Sequence, residues 1–336
     1  MPLQKVTLII GAGASKDIYH EINTGDELIK EIANRVTDRT SPHNLNLSKE
    51  LDEQLKLPLQ KRVAFLTHLD NYINTAETPS IDEFLNEINT YPEFERDRSD
   101  FLTIGFVMIL AHVFGFEGTN TKNILDVDIK TKNQTWLSVL CNYISQNNIL
   151  SSNSHIDLNI ITFNYDRIIE YYLLKKYEYS DEVIKFINEK LNHVYGRAGC
   201  LDKLEAKSIG EGKFEINSEF GEYNNKLKEF KEKYLDHIKI IYDKRSNAHE
   251  LSDIVEKSEY VYVFGYGFDS INNRRLGLHQ CNNKKEKFKV NIYSGGYPNF
   301  NFGFRRKMSD KIRGLVIDAE IYYESCSEFL KRILLK

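Results

Sequence analysis

Cysteine is scarce in this chain. Of 336 residues only Cys141, Cys200, Cys281 and Cys326 are cysteines, far apart and with no C-x-x-C pair. Zinc-ribbon spacing is therefore missing, and the simplest expectation is buried thiols in a reducing compartment. Long apolar runs are scarce too. The stretch from Phe101 to Phe116 falls short of the roughly 20 residues that a membrane span needs, and it carries His112. It is expected as a buried core helix. The apolar run near the amino terminus is too short for a signal peptide and leads straight into a glycine turn, so the expected location is the cytoplasm. A formal charge of −4 gives no general attraction to nucleic acid or anionic lipid, although a local basic patch stays open. No internal repeat and no low-complexity tract is found.

What the chain does have is ordinary globular composition, with 41% apolar and 28% charged residues, at a length suited to one elaborated domain or two. Six short segments rich in β-branched and aromatic residues read as buried parallel strands: Val6–Ile10, Leu158–Thr162, His193–Tyr195, Tyr260–Phe264, Val290–Tyr293 and Ala319–Tyr323. Helical patterns lie between them. This alternation predicts an α/β fold, a Rossmann-type parallel sheet with helices on both faces. Thr24-x-x-Glu27, Ser80-x-x-Glu83 and Ser325-x-x-Glu328 match the capping box that opens a helix.

The sheet is expected to be interrupted twice. The predicted core comprises residues 1–37, 150–200 and 256–336. Residues 38–149 read as a large helical insertion, with helical patterns over Leu57–Ala76, Ile81–Asn89, Phe101–Phe114 and Thr135–Ser145. Residues 201–255 read as a polar, mostly helical insertion, in which Tyr223–Arg245 is a solvated helix.

Gly11-Ala12-Gly13-Ala14-Ser15 follows the first strand directly. A glycine turn there lets backbone N–H groups approach a phosphate that a side chain would block. A P-loop would need G-x-x-x-x-G-K, and the residue directly before Lys16 is Ser15, not glycine. A hydride-transfer dinucleotide fold would need G-x-G-x-x-G and an acidic second strand about 20 residues on. Lys16 holds the third glycine position and a helical pattern follows, so neither motif fits.

Four stretches in order, Gly11-Ala-Gly-Ala-Ser15, Thr162-Phe-Asn-Tyr-Asp166, His193-Val-Tyr-Gly196 and Gly265-Tyr-Gly-Phe-Asp269, resemble the sirtuin superfamily, and more closely its NAD hydrolases of bacterial anti-phage defence. Ser80-Ile-Asp-Glu-Phe-Leu85 resembles a helix start of that group. The resemblance implies NAD as substrate, no metal, and hydrolysis to nicotinamide and ADP-ribose that depletes NAD in abortive infection. It further implies a homo-oligomer or control by a partner such as a motor ATPase, a short Argonaute or a nucleotide-signal producer. An absent zinc module and an absent A-P-D-F-R-type loop speak against lysine deacylation.

By the same resemblance Asn164 would hold water or acceptor near the anomeric carbon, and Asp166 would fix the loop or reach the nicotinamide side. Gly11, Ala12, Gly13, Ser15, Gly265, Gly267 and Ser294 would contact the cofactor, as could Asn272 or Asn273. Lys16, Asp17 and Tyr19 would lie in a mobile loop over it. The relatives carry His immediately before Gly, where this chain has Tyr195. Three alternatives stay open: His193 as the base in a displaced register, Tyr195 positioning the ribose while Asn164 carries hydrolysis, or an NAD/ADP-ribose sensor without turnover. ADP-ribosyl transfer is a further rival.

Overall fold

The computed structural model describes residues 3–18, 25–37, 56–76, 80–120, 135–196, 248–268, 270–278, 288–292, 302–316 and 319–335. In chain order these form β1 (Gln4–Ile10), α1 (Ala12–Ile18), α2 (Gly25–Thr37), α3 (Leu59–Thr75), α4 (Ile81–Thr90), α5 (Arg98–Asn120) and α6 (Trp136–Gln146). Next come β2 (Ile156–Thr162), α7 (Ile168–Lys176), α8 (Asp181–Lys190), β3 (Leu191–His193), α9 (Ala248–Lys257) and β4 (Tyr260–Phe264). The chain continues with α10 (Ser270–Arg275), β5 (Phe288–Asn291), α11 (Phe302–Leu315), β6 (Glu320–Tyr322) and α12 (Cys326–Leu334).

Two compact units are present. One gathers Met1–Ile22, Asn123–Val194 and Ser246–Lys336, and the other Asn23–Lys122 and Tyr195–Arg245. The first holds a six-stranded sheet in the order β3-β2-β1-β4-β5-β6, with every neighbouring pair parallel. This is a Rossmann-like α/β arrangement. Strands are laid down outward from β1 in both directions, and right-handed crossovers in opposite directions carry their helices to opposite faces. The order reverses between β1 and β4, so the carboxyl ends of those strands border a crevice. β1 is central, and Leu8, Ile9 and Ile10 on its two faces are wholly buried.

Around this strand the core is aromatic and well tied. Phe264 meets Trp136 edge-on at 5.3 Å, and the tilted ring of Phe329 at 6.3 Å, between ring centroids. The indole Nε1–H of Trp136 donates to the Ala14 carbonyl at 2.8 Å, which anchors α1 to α6. Thr7, the buried hydroxyl of β1, is satisfied by Ser258 Oγ at 2.6 Å. α12 begins with a complete capping box: the Ser325 hydroxyl accepts from the Glu328 N–H, and Glu328 accepts from the Ser325 N–H.

The described residues of the second unit are mainly helical. Phe65 of α3 packs edge-on against Phe84 of α4 and Phe101 of α5. Gly105 lets α5 approach α4 closely, because a Cβ there would lie 2.3 Å from Leu85 Cδ2. Phe101, Ile104, Val107, Met108 and Ile109 are buried, as the apolar stretch predicts. Among the described residues no helix is long and apolar enough to cross a membrane.

Several sequence expectations are corrected. β3 spans Leu191–His193 rather than His193–Tyr195, because the chain turns at once toward Gly196, whose φ of +80° ends the extended run. With the strand ending at His193, the two-residue alternation of faces in a strand does not extend to Tyr195. Lys16 and Asp17 belong to helix α1 rather than a mobile loop, since Trp136 pins that helix, and Lys16 is buried. The Ser80 side chain makes no cap bond to α4; Glu83 instead accepts from the Tyr72 hydroxyl at 3.0 Å. The unit boundaries also differ from those expected. α6 and α9 join the sheet unit, while α2 joins the helical one. The expected helix Tyr223–Arg245, together with Tyr19, Thr24, Cys200, Cys281, Ser294, Gly295 and Gly296, lies outside the described residues.

Candidate functional site

The carboxyl ends of β1 and β4 meet through glycine. Gly11 N–H donates to the Phe264 carbonyl at 3.1 Å, and Gly13 N–H donates to that of Gly265 at 2.9 Å. A Cβ on Gly11 would lie 2.3 Å from the Gly265 oxygen, and one on Gly265 would lie 2.1 Å from the Ala14 nitrogen. Gly265 moreover has a φ of +62°. Gly11 and Gly265 are thus required by backbone meeting backbone, while a Cβ on Gly13 would press against Gly265 at 3.0 Å. Ala14 N–H also has an internal acceptor, the Gly11 carbonyl at 2.9 Å. The turn expected to offer its N–H groups to a phosphate spends those of Gly11, Gly13 and Ala14 inside the chain. Gly267 differs: no atom of a described residue beyond its chain neighbours lies within 4 Å of where its Cβ would sit.

Beside this seam, polar side chains gather at the ends of β1, β2 and β3. Phe163 N–H donates to the Ile10 carbonyl and Asn164 N–H to the Thr162 hydroxyl, which carries the Thr162–Asp166 stretch past the strand end. Asn164 is 5% exposed and Ser15 is 1% exposed. Asn164 Nδ2 donates to Ser15 Oγ at 2.8 Å, and Ser15 Oγ donates to Asp166 Oδ2 at 2.9 Å. Asp166 Oδ1 accepts from the Ile168 N–H at 3.3 Å.

This relay decides which way the amide faces. An ionised carboxylate only accepts, so the Ser15 proton goes to Asp166 and the Ser15 oxygen must accept from Asn164. The Nδ2 group of Asn164 then points at Ser15, and Oδ1 points away. Asn164 Oδ1 is buried and accepts no hydrogen bond from any described residue. A buried amide oxygen without a donor is costly to maintain. Burial is also the main influence on Asp166, raising its pKa to about 6, while its bonds from Ser15 and the Ile168 N–H pull the other way.

His193 lies on the far side of Asn164. Its Nδ1 is 3.0 Å from the Asn164 carbonyl oxygen, and its Nε2 is 3.1 Å from Glu170 Oε1. Arg167 Nε donates to the same Glu170 oxygen at 2.8 Å. The side chains of His193, Glu170 and Arg167 are 2%, 0% and 1% exposed. Each ring nitrogen of His193 thus faces an acceptor inside the protein. A general base needs a lone pair turned toward substrate, and this ring turns neither nitrogen that way.

Of the expected site residues, Asn164, Ser15, Asp166 and His193 come together, with Gly11, Ala12, Gly13 and Gly265 alongside. Tyr195 is buried and groups with the helical unit. Asn273 is occupied structurally: its Nδ2 donates to the Phe268 carbonyl and its Oδ1 accepts from the Tyr266 hydroxyl. Glu170 and Arg167 escaped the sequence reading. Their signal was two charges three apart inside a run where Ile168, Ile169, Tyr171, Tyr172, Leu173 and Leu174 are all buried. Among the described residues no His, Cys, Asp and Glu cluster could hold a metal ion. Neither the family models nor the curated proteins contain a match to this chain.

Proposed function

We propose that this protein binds NAD at the carboxyl edge of its sheet and hydrolyses the bond between nicotinamide and ribose. The observation that supports this reading most directly is the Asn164 carboxamide, buried at a strand end beside the switch point, with Oδ1 unpartnered among the described residues. Breaking that bond builds positive charge on the ribose ring, as glycoside cleavage does. The leaving pyridinium is already cationic and departs neutral, so it needs no acid. What the site must supply is a fixed negative dipole toward the developing cation and a hold on the incoming water. An amide oxygen does both without trapping the cation as a stable adduct. Water adds to the anomeric carbon, its proton leaves, and the products are nicotinamide, ADP-ribose and one proton.

The commitment of both His193 nitrogens favours a second reading, an NAD or ADP-ribose sensor that binds without turnover. A single assay separates the two. The full chain is incubated with NAD and with its etheno analogue, and products are followed by fluorescence and chromatography. Hydrolysis that drops about 10²–10³-fold in Asn164→Ala, the size expected for losing one preorganised dipole, supports the enzyme. Calorimetric binding with no turnover supports the sensor, and failure to bind NAD or ADP-ribose overturns both. Added ADP-ribose mass on the protein itself would indicate transfer instead. The setting attached to this reading, NAD depletion in bacterial anti-phage defence under control of self-assembly or a partner, rests on the motif resemblance alone.

A further inference from the structure

The deepest charged cluster in the sheet unit is not at the glycine seam but behind Asn164. Arg167, Glu170 and His193 are ionisable, and all three side chains are at least 98% buried. Burying ions costs several kcal/mol each unless they are paired with good geometry, so the pairs formed inside the cluster matter. Glu170 Oε1 receives Arg167 Nε at 2.8 Å and faces His193 Nε2 at 3.1 Å. The other ring nitrogen faces the Asn164 carbonyl oxygen at 3.0 Å. A neutral imidazole has one N–H and satisfies one of these acceptors; the other would face a lone pair across about 3 Å. With Glu170 ionised, only the doubly protonated ring bonds to both.

We propose that Glu170, braced by Arg167, keeps His193 doubly protonated so that the ring clamps the Asn164 backbone, which makes these three side chains positioning residues for the Asn164 carboxamide. The geometry of the clamp stands by itself; its effect on catalysis rests on the NAD reading above. His193 is then not the base. It acts through the main chain of Asn164, one peptide away from the side chain that faces the reaction. Asn164 is thereby held from two sides, by Ser15 on its amide and by His193 on its carbonyl.

The test uses the full chain labelled with ¹⁵N-histidine, with His193→Gln identifying the resonance. In the native protein near neutral pH both His193 ring nitrogens should be protonated; in Glu170→Gln the ring should become a single neutral tautomer. A neutral His193 in the native protein overturns the proposal, as does an unchanged ring in a folded Glu170→Gln. Should Glu170→Gln not fold, the native spectrum alone still decides. The kinetic arm compares His193→Gln with His193→Ala. Glutamine can donate an N–H to the Asn164 carbonyl but cannot serve as a base. Clamping predicts that His193→Gln keeps at least about 10-fold more kcat than His193→Ala, with similar KM, given that misplacing a reacting group by 1 Å can cost about 10²-fold. Equal loss in both, with both folded, returns His193 to the role of base. If the native protein neither binds nor cleaves NAD, the functional reading fails while the nuclear resonance result still judges the clamp.

Discussion

Replacing Asp166 by asparagine should make the sheet unit more stable near neutral pH and less active. The carboxyl is held at a pKa of about 6, mainly by burial, against an ordinary value of 3.8. The folded state therefore binds a proton more tightly than the unfolded chain does. Between these two values the native form carries more protons, so this group's contribution to stability falls as pH rises and levels off above about 6. Integrating the two titrations from about pH 4.5 to about pH 7.5 gives a loss of roughly 2 kcal/mol. Asp166→Asn removes the charge and with it this pH dependence. The variant should gain about 2 kcal/mol relative to the native protein over that interval. Its amide can accept from the Ile168 N–H and present its own N–H to Ser15. The Ser15 proton then turns to Asn164, and the amide of Asn164 turns over, so that its Nδ2 donor stands where Oδ1 stood. Hydrolysis should fall about 10²–10³-fold, because a dipole aimed at a developing cation has been reversed. Trp136, the chain's single tryptophan, sits in the sheet unit against Ala14, so its fluorescence during denaturant unfolding reads that unit. Parallel pH–stability curves for the two proteins, or unchanged turnover in a folded variant, refute the relay.

Two further substitutions probe the frame. Gly265→Ala should cost at least about 2 kcal/mol by the same fluorescence assay, since a left-handed φ alone costs a non-glycine residue roughly 1–2 kcal/mol and its Cβ would strike the Ala14 backbone. Gly267→Ala, with open space around it, should change stability by no more than about 0.5 kcal/mol. A reversed order would mean that the seam is not as tight as described. Ser325→Ala should destabilise by about 1 kcal/mol through loss of the α12 cap, again measured by unfolding.

Strand positions were legible because β-branched runs such as Val6-Thr-Leu-Ile-Ile have few alternatives to a buried strand. β3 was placed two residues late: its three residues include Asn192 and His193, polar side chains that give no apolar signal, whereas Val194 and Tyr195 beyond it look like strand residues. Membership of the two units was illegible. An amphipathic helix announces that it has an apolar face but not which partner covers it, so α2, α6 and α9 were assigned by chain position alone. Within the site, Asn164, Ser15 and Asp166 were singled out by the motif resemblance, and the structure links them by hydrogen bonds. Glu170 and Arg167 were missed because a Glu three residues after an Arg on a helix is ordinarily a solvated surface pair. The glycine turn was read as an opening for phosphate because nothing local to residues 11–15 reveals that residue 265 presses against it.

That contact ties together two stretches of chain more than two hundred and fifty residues apart. With no side chain between them and two direct peptide-to-peptide bonds across them, the tips of β1 and β4 cannot be displaced one at a time. A guest molecule wedged into the crevice has to shift both together or neither. Any such shift would travel along α1 to the tryptophan that grips it, so the entry of a guest should register in the indole's emission before any chemistry begins.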